Sequence, residues 1–324
     1  MIKAAIAKVF GVAGLAIVLL CAQTCAASAQ NCTFSITDVN FGSVDLTQNA
    51  AIDVTATFTA TCNAAAPTTV RVCPNIGTGA GGADPAGVPR YMLSGINKLN
   101  FNMYQDAART VSWGSTLVVG NPPTIDVPIV LLSNTVTRTI YGRVLAAQQS
   151  SSTGTYVSSF SGGHTLISYR NGTNKNCAQI GTSNGVQAPF TVQATYAPTC
   201  RVSAASLDFG SLAGTAIASG VDGTTSITAT CSASTPYSIA LDGGLTAATS
   251  PTQRKMAMGA NRLTYGLYRD SPRNLPWGAT SGTNTSGGVG SGVGQSVSVY
   301  GRVPNQTIPP AGTYSDTVVV TVEY

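Results

Sequence analysis

Cysteine and histidine are the residues of this chain best suited to chemistry, and their spacing limits what that chemistry can be. The chain has 8 cysteines and 1 histidine among 324 residues. A zinc site is typically built from cysteines two to four residues apart, together with histidines. No two cysteines stand in a C-x-x-C spacing, and the single histidine, His164, follows the loop-like stretch Ser161-Gly162-Gly163. We therefore expect no metal site and interpret His164 as a solvated loop residue.

Catalytic patterns are equally absent from the sequence. Nucleophilic catalysis needs a nucleophile, a base and an orienting acid, and phosphate chemistry usually needs a glycine-rich loop in a defined context. Neither motif appears, and no pair of carboxylates lies within a recognisable motif. The sequence predicts a protein without a cofactor and without enzymatic activity.

The first 30 residues resemble an export signal. Lys3 and Lys8 form a basic start, the run from Val9 to Ala22 is apolar, and Ala27-Ser28-Ala29 is typical of a cleavage site. A membrane span needs roughly 20 apolar residues, so a retained anchor is the less favoured alternative. The sequence predicts a signal peptide over residues 1–30 and a mature, exported chain.

Removal of the signal changes both the cysteine count and the charge. Cys21 and Cys25 leave with it, so six cysteines remain (8 − 2), and the formal charge falls from +5 to +3 because two lysines are lost (5 − 2). An even number of cysteines in an exported chain indicates disulfides. With no basic cluster beyond Arg254-Lys255, nucleic acid is not expected as a partner.

The mature chain carries two copies of one pattern. Leu99 to Tyr104, continued through Asp106 and Arg109 to Trp113-Gly114, recurs as Leu263 to Tyr268, continued through Asp270 and Arg273 to Trp277-Gly278. Three shorter pairs also recur: Tyr141-Gly142-Arg143-Val144 with Tyr300-Gly301-Arg302-Val303, Gly154-Thr155-Tyr156 with Gly312-Thr313-Tyr314, and Phe41-Gly42-Ser43 with Phe209-Gly210-Ser211. Two tandem domains are predicted, over residues 31–197 and 198–324, with Ala197-Pro198-Thr199 as a short hinge. Because the tryptophans recur, we expect them in the cores, and we expect each Asp-Arg pair to brace a turn.

The repeat also predicts which cysteines pair. Cys32 and Cys62 occupy the same places in the first copy as Cys200 and Cys231 in the second, so each couple is expected to form a disulfide. Cys73 and Cys177 have no counterparts in the second copy, and we expect them to pair with each other.

The hydrophobic pattern has the period of strands. Stretches such as Val54 to Cys62, Thr224 to Cys231 and Ser296 to Val303 alternate apolar and polar residues and are rich in β-branched side chains. Clusters of Gly, Pro, Asn and Ser separate them. The predicted fold is all-β, with two tandem immunoglobulin-like antiparallel β-sandwiches.

The two copies differ at their ends. In the first copy, Thr165 to Tyr169 is followed by a polar loop and a further strand-like segment, Val186 to Tyr196. The second copy ends at Tyr324, on the equivalent of Tyr169, so its sandwich is expected to lack its final strand. The open edge is assigned to Val318, Val320, Val322 and Tyr324. An extended segment from another chain would fill such an edge by strand addition.

These motifs together resemble the spore coat protein U domain family. The resemblance rests on the Tyr-x-Asp and Trp-Gly block, the Tyr-Gly-Arg-Val strand and the closing run from Gly312 to Tyr324. It implies a subunit of archaic, Csu-type chaperone-usher pili. The implied partners are a periplasmic chaperone, an outer-membrane usher and an adjacent subunit that donates a strand. Because Cys32 follows the predicted cleavage site almost at once, the chain would receive a strand and give none, which places it at the pilus tip.

The resemblance also implies apolar binding loops on the first domain, facing an abiotic or host surface. The loop residues that fit this description are Ala64, Ala65, Ala66, Leu117, Val118 and Val119. They are expected at the far end of the sandwich, together with the loop from Asn171 to Val186. Leu145-Ala146-Ala147 and the stretch Tyr156 to Phe160 compete as a third loop. The alternative is that Leu117 to Val119 end a buried strand and that the alanines form a compact turn.

The resulting functional prediction is a tip adhesin that attaches cells to surfaces and promotes biofilm formation. It would pass through the periplasm and act outside the cell. Two alternatives stay open at this point: a secreted structural coat or matrix protein without a fibre, and a lectin-like tip that binds a defined glycan.

Overall fold

Strands follow one another along nearly the whole of the computed structural model, which describes residues 31–117, 120, 122–182, 185–214 and 216–324. The expected signal segment lies outside this described part. We refer to residues 31–196 as the first unit and residues 200–324 as the second unit.

The described residues of the first unit form 12 strands and one short helix. The strands are β1 (Asn31–Ile36), β2 (Val39–Ser43), β3 (Ile52–Asn63), β4 (Thr68–Ile76), β5 (Arg90–Ser94), β6 (Asn97–Tyr104), β7 (Ile125–Ile129), β8 (Ser133–Val144), β9 (Gly154–Phe160), β10 (Thr165–Asn171), β11 (Val186–Gln187) and β12 (Phe190–Tyr196). Helix α1 spans Cys177–Ile180, and 3-10 turns span Leu46–Gln48 and Gly162–His164.

The second unit repeats most of this order. Its strands are β13 (Cys200–Ala204), β14 (Ala216–Ile217), β15 (Val221–Cys231), β16 (Pro236–Leu241), β17 (Arg254–Met258), β18 (Asn261–Tyr268), β19 (Ser286–Val289), β20 (Gln295–Val303), β21 (Gln306–Thr307) and β22 (Val320–Glu323). Residues 312–318, which correspond to β9, do not form a regular strand.

Each unit is a sandwich of two main sheets. The first unit has the sheets β1-β3-β8-β6-β5-β9-β12-β2 and β11-β10-β4-β7, and the second has β13-β15-β20-β18-β17 and β19-β16-β22, with β14-β21 as a small extra pair. The predicted all-β tandem sandwich is therefore confirmed. One pairing departs from the predicted antiparallel plan: β12 runs parallel to β2.

Two separate apolar clusters fill the sandwiches, one within each unit. Trp113 and Trp277 are buried in them, and each indole N–H donates to a backbone carbonyl, of Pro74 and of Ile239, at 2.9 Å. The core position predicted for both tryptophans is confirmed. Since a fully buried large apolar side chain contributes about 1.5–3 kcal/mol, the inward-facing residues of each strand set its register.

The disulfides are those expected from the repeat. Cys32 bonds to Cys62, Cys73 to Cys177 and Cys200 to Cys231. The first and third join the opening strand of a unit to the strand beside it. The second ties α1 and the loop around it to β4.

The two repeated Asp-Arg pairs brace their turns, as expected from the repeat. The Asp106 and Asp270 carboxylates do accept backbone N–H groups four and five residues ahead. The arginines donate to carbonyls of the same turns, Arg109 Nη1 to Ala107 at 2.9 Å and Arg273 Nη1 to Ser271 at 2.7 Å. Each arginine also reaches a neighbouring strand, where Arg109 lies 3.1 Å from Asp53 and Arg273 lies 3.1 Å from Asp222.

His164 was expected to be a solvated loop residue, but its side chain makes a specific contact. It ends the 3-10 turn after Ser161, is half-buried, and its Nδ1 accepts the backbone N–H of Gly79 at 3.2 Å. The side chain thus holds two loops together.

Candidate functional site

A groove in the second unit occupies the place that β12 fills in the first unit. In the first unit, β12 lies between β9, with which it is antiparallel, and β2, with which it is parallel. Its alternate side chains Phe190, Val192, Ala194 and Tyr196 are all buried. This strand therefore closes both the sheet edge and the core beneath it.

The corresponding walls in the second unit have no strand between them among the residues that the structure describes. One wall is 207–212, the counterpart of β2, and the other is 312–318, the counterpart of β9. A cleft of about 440 Å³ and a second of about 370 Å³ lie between these walls and share Leu207, Phe209 and Tyr314 in their linings. The two clefts together form one continuous groove.

Equivalent residues show how much the groove exposes. Val39, Phe41 and Val44 are buried under β12 in the first unit. Their counterparts Leu207, Phe209 and Leu212 are only half-buried, although they pack against the second apolar cluster. The second unit therefore has an apolar inner face, but no strand of the described residues covers it as β12 does in the first unit.

The last strand supplies the other wall. Residues 314, 316, 318, 320 and 322 alternate inward, each half-buried, while their neighbours are exposed. Among the residues that the structure describes, this backbone pairs on one side only, through a bridge between Ser315 and Ala257 and through β22 with β16. Strand geometry thus leaves the other backbone edge open along this wall.

The four residues predicted for the open edge fall in three different places. Val318 and Val320 line the groove. Val322 packs against the second apolar cluster, and Tyr324 is exposed beyond the end of β22. The prediction missed the opposite wall, Leu207 to Leu212, whose repeat of Phe41-Gly42-Ser43 was visible in the sequence.

A polar pair sits in the middle of the groove. The Tyr265 hydroxyl donates to Asp316 Oδ2 at 2.7 Å, and Asp316 Oδ1 accepts the backbone N–H groups of Leu245 and Thr317, each at 2.8 Å. Burial, and then the hydrogen bond to Asp316, raises the pKa of Tyr265. The first unit has Phe101 and Ser158 at these positions, so the pair is specific to the second unit.

A buried arginine supports each core near its tryptophan. Arg254 donates to the carbonyls of Leu241 and Trp277 at 3.0 and 2.9 Å, and Arg90 donates to those of Ile76 and Trp113 at 2.9 and 2.6 Å. Burial lowers the pKa of Arg90 to about 10 and also lowers the pKa of Arg254. Sequence reasoning missed this pair, although Arg90 and Arg254 begin the equivalent strands β5 and β17.

An apolar surface lies at the opposite end of the molecule from the second unit. Val130, Leu131 and Leu132 form the turn between β7 and β8, and their side chains are 74%, 81% and 74% exposed. The Ala64 N–H donates to the Leu132 carbonyl at 3.1 Å, which joins this turn to the turn that carries Ala65 and Ala66. We name these residues, 64–66 and 130–132, the apolar end.

Sequence reasoning found only half of the apolar end. Ala65 and Ala66 are exposed and Ala64 is half-buried, but Val130 to Leu132 were not among the predicted loops. The signal was the run Ile129-Val130-Leu131-Leu132, which breaks the alternation expected of a strand with one buried face.

Leu117 lies elsewhere, against the expectation that its loop shares the far end. Its loop starts where Gly114 accepts the Ile76 N–H and Thr116 donates to Asn75, near the end of β4. The turn with Ala64 lies beyond Thr68, at the start of β4, roughly 23 Å away at about 3.3 Å per residue. Leu117 is 60% exposed. Val118 and Val119 lie outside the described residues.

Both candidates for a third loop are wrong. Tyr156 and Phe160 are buried in the first apolar cluster, because they face inward from β9. The stretch 145–147 lies at the end nearest the second unit, where the Ala147 N–H donates to Asn49.

A further concave feature is a polar cleft on the side of the first unit. It measures about 440 Å³ and is lined by Gln105, Arg138, Thr139 and Tyr141, with Trp113 at its base. In the described residues we find no cluster of three or more side chains suited to a metal. Within the same part of the chain, no helix is both long enough and apolar enough to span a bilayer.

Comparisons with known proteins agree with this architecture. The Spore Coat Protein U domain model matches residues 16–161 and again residues 186–321. Protein U of Myxococcus xanthus is 39% identical over 113 residues, which is 32% of this chain and 63% of that relative. This match therefore covers less than two thirds of the relative's length.

One solved structure shows the same fold. A chain of the CsuC–CsuE chaperone–tip adhesion subunit pre-assembly complex, from archaic chaperone-usher Csu pili of Acinetobacter baumannii, aligns with a TM-score of 0.51 and 18% identity over 91% of this chain and 100% of that one. The CupB6 tip adhesin from Pseudomonas aeruginosa aligns over 90% of this chain and 94% of that one, with a TM-score of 0.36 and 13% identity. The first of these likenesses indicates a common two-unit fold.

Proposed function

We propose that this chain, which belongs to the Spore Coat Protein U domain family, is the adhesive tip subunit of an archaic chaperone-usher pilus. The first unit would be the adhesin and the second unit the pilin-like adaptor. One observation carries the proposal: the second unit has an open groove where the first unit holds its own strand β12.

The proposed occupant of the groove is an extended segment of another chain. Strand addition suits the site, because main-chain hydrogen bonds can form along residues 312–318 while alternate side chains enter the apolar floor. By analogy with β12, the segment would run antiparallel to residues 312–318 and parallel to residues 207–211. Val318 and Val320 would lie on the edge that it meets, and Val322 and Tyr324 would continue that edge beyond the groove.

Two partners would use the groove in turn. A periplasmic chaperone would first cover the apolar floor, which otherwise invites aggregation. At the outer-membrane usher, the extension of the adjacent subunit would replace the chaperone. Residues 1–30 would serve as the export signal, so the chain would cross the periplasm and act outside the cell without catalysis.

The proposed attachment surface is the apolar end. Val130 to Leu132 and Ala64 to Ala66 project from the unit farthest from the groove, where they can reach an abiotic or host surface. Each square ångström of apolar area removed from water contributes about 25 cal/mol, so a single contact is weak. Many pili on one cell would act together and make attachment and biofilm formation effective. Leu117, with Val118 and Val119, would form a separate apolar contact on the side of the unit.

The deciding experiment expresses the mature chain, residues 31–324, in the periplasm with and without an archaic pilus chaperone. We expect soluble protein only with the chaperone, recovered as a complex of one copy of each. A matched control carries a copy of residues 170–196 after Tyr324, with Ser in place of Cys177, so that a tethered strand can fill the groove. That extended chain should be soluble alone and should not bind the chaperone.

An unextended chain that is soluble, monomeric and indifferent to the chaperone would contradict the proposal. The same result would favour a secreted coat or matrix protein that needs no fibre.

The polar cleft of the first unit favours a second candidate, a lectin-like tip. Gln105, Arg138 and Tyr141 combine hydrogen-bonding groups with an aromatic ring. A soluble glycan that competes with attachment would identify this activity. Arg138→Ala should abolish the glycan-sensitive attachment, and changes at Leu131 should leave it unaffected.

A further inference from the structure

The walls of the groove differ from those around β12, and these differences define the strand that fits. This inference rests on the proposed function, since it concerns the same groove. In the first unit Phe190 faces Phe160, Val192 faces Ser158 and Ala194 faces Tyr156 across the β9–β12 ladder. The first unit therefore shows, within the same chain, how a strand fills the equivalent site.

The wall position that meets Phe190 is smaller in the second unit. Phe160 stacks on Phe190 with ring centroids 4.6 Å apart, and its counterpart is Val318. Two further counterparts are smaller as well, since Ile227 replaces Phe58 and Ala204 replaces Ile36, and all three line the groove. An incoming strand must bring a large side chain here, because an unfilled apolar space loses packing contacts.

The central wall position is polar instead of small. Asp316 replaces Ser158, and it comes under the incoming strand at the place of Val192. A carboxylate has about four acceptor positions, of which Tyr265 and the N–H groups of Leu245 and Thr317 use three. Covering the remaining position with an aliphatic side chain would desolvate it without a partner, which is unfavourable.

The third wall position is unchanged. Tyr156 donates to the Ser152 carbonyl at 2.5 Å, and Tyr314 donates to the Pro310 carbonyl at 2.7 Å, so both rings are held alike. Ala194 packs beside Tyr156, and the equivalent place beside Tyr314 also needs a small residue.

We propose that the groove selects an extended segment with a large aromatic residue, then serine or threonine, then alanine or glycine at three successive inward positions. The aromatic residue fills the space over Val318, the hydroxyl donates to Asp316, and the small residue fits beside Tyr314. The partner is thus the extension of a subunit with this pattern.

The test uses the mature chain extended after Tyr324 by the copy of residues 170–196 described above. Val192→Thr in the copy changes the central residue at nearly constant shape. It should raise the thermal midpoint of the second unit by several degrees and slow proteolysis of the copy. In the background Asp316→Ser with Tyr265→Phe, which restores the residues of the first unit, the order should reverse and the valine copy should be the more stable.

The aromatic position has its own control inside the molecule. Phe190→Trp in the copy should keep or raise the midpoint of the second unit, whereas Phe190→Trp in β12 itself should lower that of the first unit, because Phe160 leaves no room. Phe190→Ala in the copy should release the copy to protease.

The outcomes separate the two proposals. If no copy protects the groove from protease, strand addition itself is wrong. If the copies bind but the valine and threonine forms have equal midpoints in both backgrounds, the groove is filled without the proposed selection.

Discussion

Gly292 of the second unit lies directly against Gln149 of the first, so closely that a Cβ at Gly292 would overlap the Gln149 carbonyl oxygen. A few residues away, Ser152 forms a parallel bridge with Ala233. Gly292 and Ala233 lie in the turns after β19 and β15, whose counterparts in the first unit are the turns after β7 and β3. The same end of each sandwich therefore docks in one unit and is free, as the apolar end, in the other.

This contact predicts that Gly292→Ala loosens the junction between the units. The added methyl group must displace the Gln149 backbone, and the positive φ of 83° adds strain. Small-angle scattering should show an increased maximum dimension or a broader distribution. Gly282→Ala is the matched control, because its φ is 72° and its Cβ would meet open space. Equal profiles for the two variants would argue against a fixed junction.

Attachment should depend on the apolar end. Leu131→Ser with Leu132→Ser removes most of the exposed aliphatic area of its turn, and we expect binding of cells to polystyrene to fall at least several-fold with normal piliation. Ile96→Ser is the control, since Ile96 is 95% exposed but lies in the turn between β5 and β6. Unchanged attachment of the double variant, or an equal loss with Ile96→Ser, would remove these leucines from the proposed surface.

The fold could be predicted from the sequence because its signals are local and occur twice. Alternation identified strands such as β15 and β20, and the repeated cysteines identified two of the disulfides. The parallel contact of β12 with β2 could not be foreseen, because local alternation defines which face of a strand is buried but not which strands become neighbours.

The candidate site was predicted only in part for the same reason. The open edge of the second unit could be predicted by comparing Val186 to Tyr196 with the second copy, yet the wall from Leu207 to Leu212 is distant in sequence from this edge. Likewise, Leu131 could be recognised as part of the apolar end only once Leu132 was seen beside Ala64.

The buried arginines should be essential for their cores. Arg90 donates to three backbone carbonyls and to the Asn102 side chain, and Arg90→Met would leave those carbonyls without partners inside the protein. Each unsatisfied buried group costs about 1–3 kcal/mol, so we expect the unfolding free energy of the first unit to fall by about 3 kcal/mol or more. Arg262→Met, at an exposed site that also contacts carbonyls, should change the thermal midpoint little. Similar midpoints for both variants would contradict this role.

Acid should destabilise both units through equivalent carboxylates. The hydrogen bond from Arg143 holds the pKa of Asp53 below its usual value, and that from Arg302 does the same for the pKa of Asp222. A depressed folded-state pKa gives stability that is present above the unfolded value, about 3.9, and is lost as the pH falls through the folded value. Thermal midpoints should therefore decrease once the pH is below about 4. Asp222→Asn should make this decrease smaller for the second unit, and it should lower the midpoint of that unit at pH 7. A drop of unchanged size in Asp222→Asn would show that other groups control it.

The disulfides should contribute differently to the free energy of unfolding, because they close loops of different length. Cys73 and Cys177 are 104 residues apart, whereas Cys200 and Cys231 are 31 apart. Restriction of the unfolded chain then favours folding by about 4.7 and about 3.7 kcal/mol respectively. We expect Cys73→Ala with Cys177→Ala to lower the unfolding free energy of the first unit by more than Cys200→Ala with Cys231→Ala lowers that of the second, measured by denaturant titration of the extended chain. The longer bridge also ties α1 to β4, so its loss should make residues 171–182 the first protease site. An equal or smaller effect of the longer bridge would mean that native contacts of α1 and its loop, and not loop closure, govern the stability of this region.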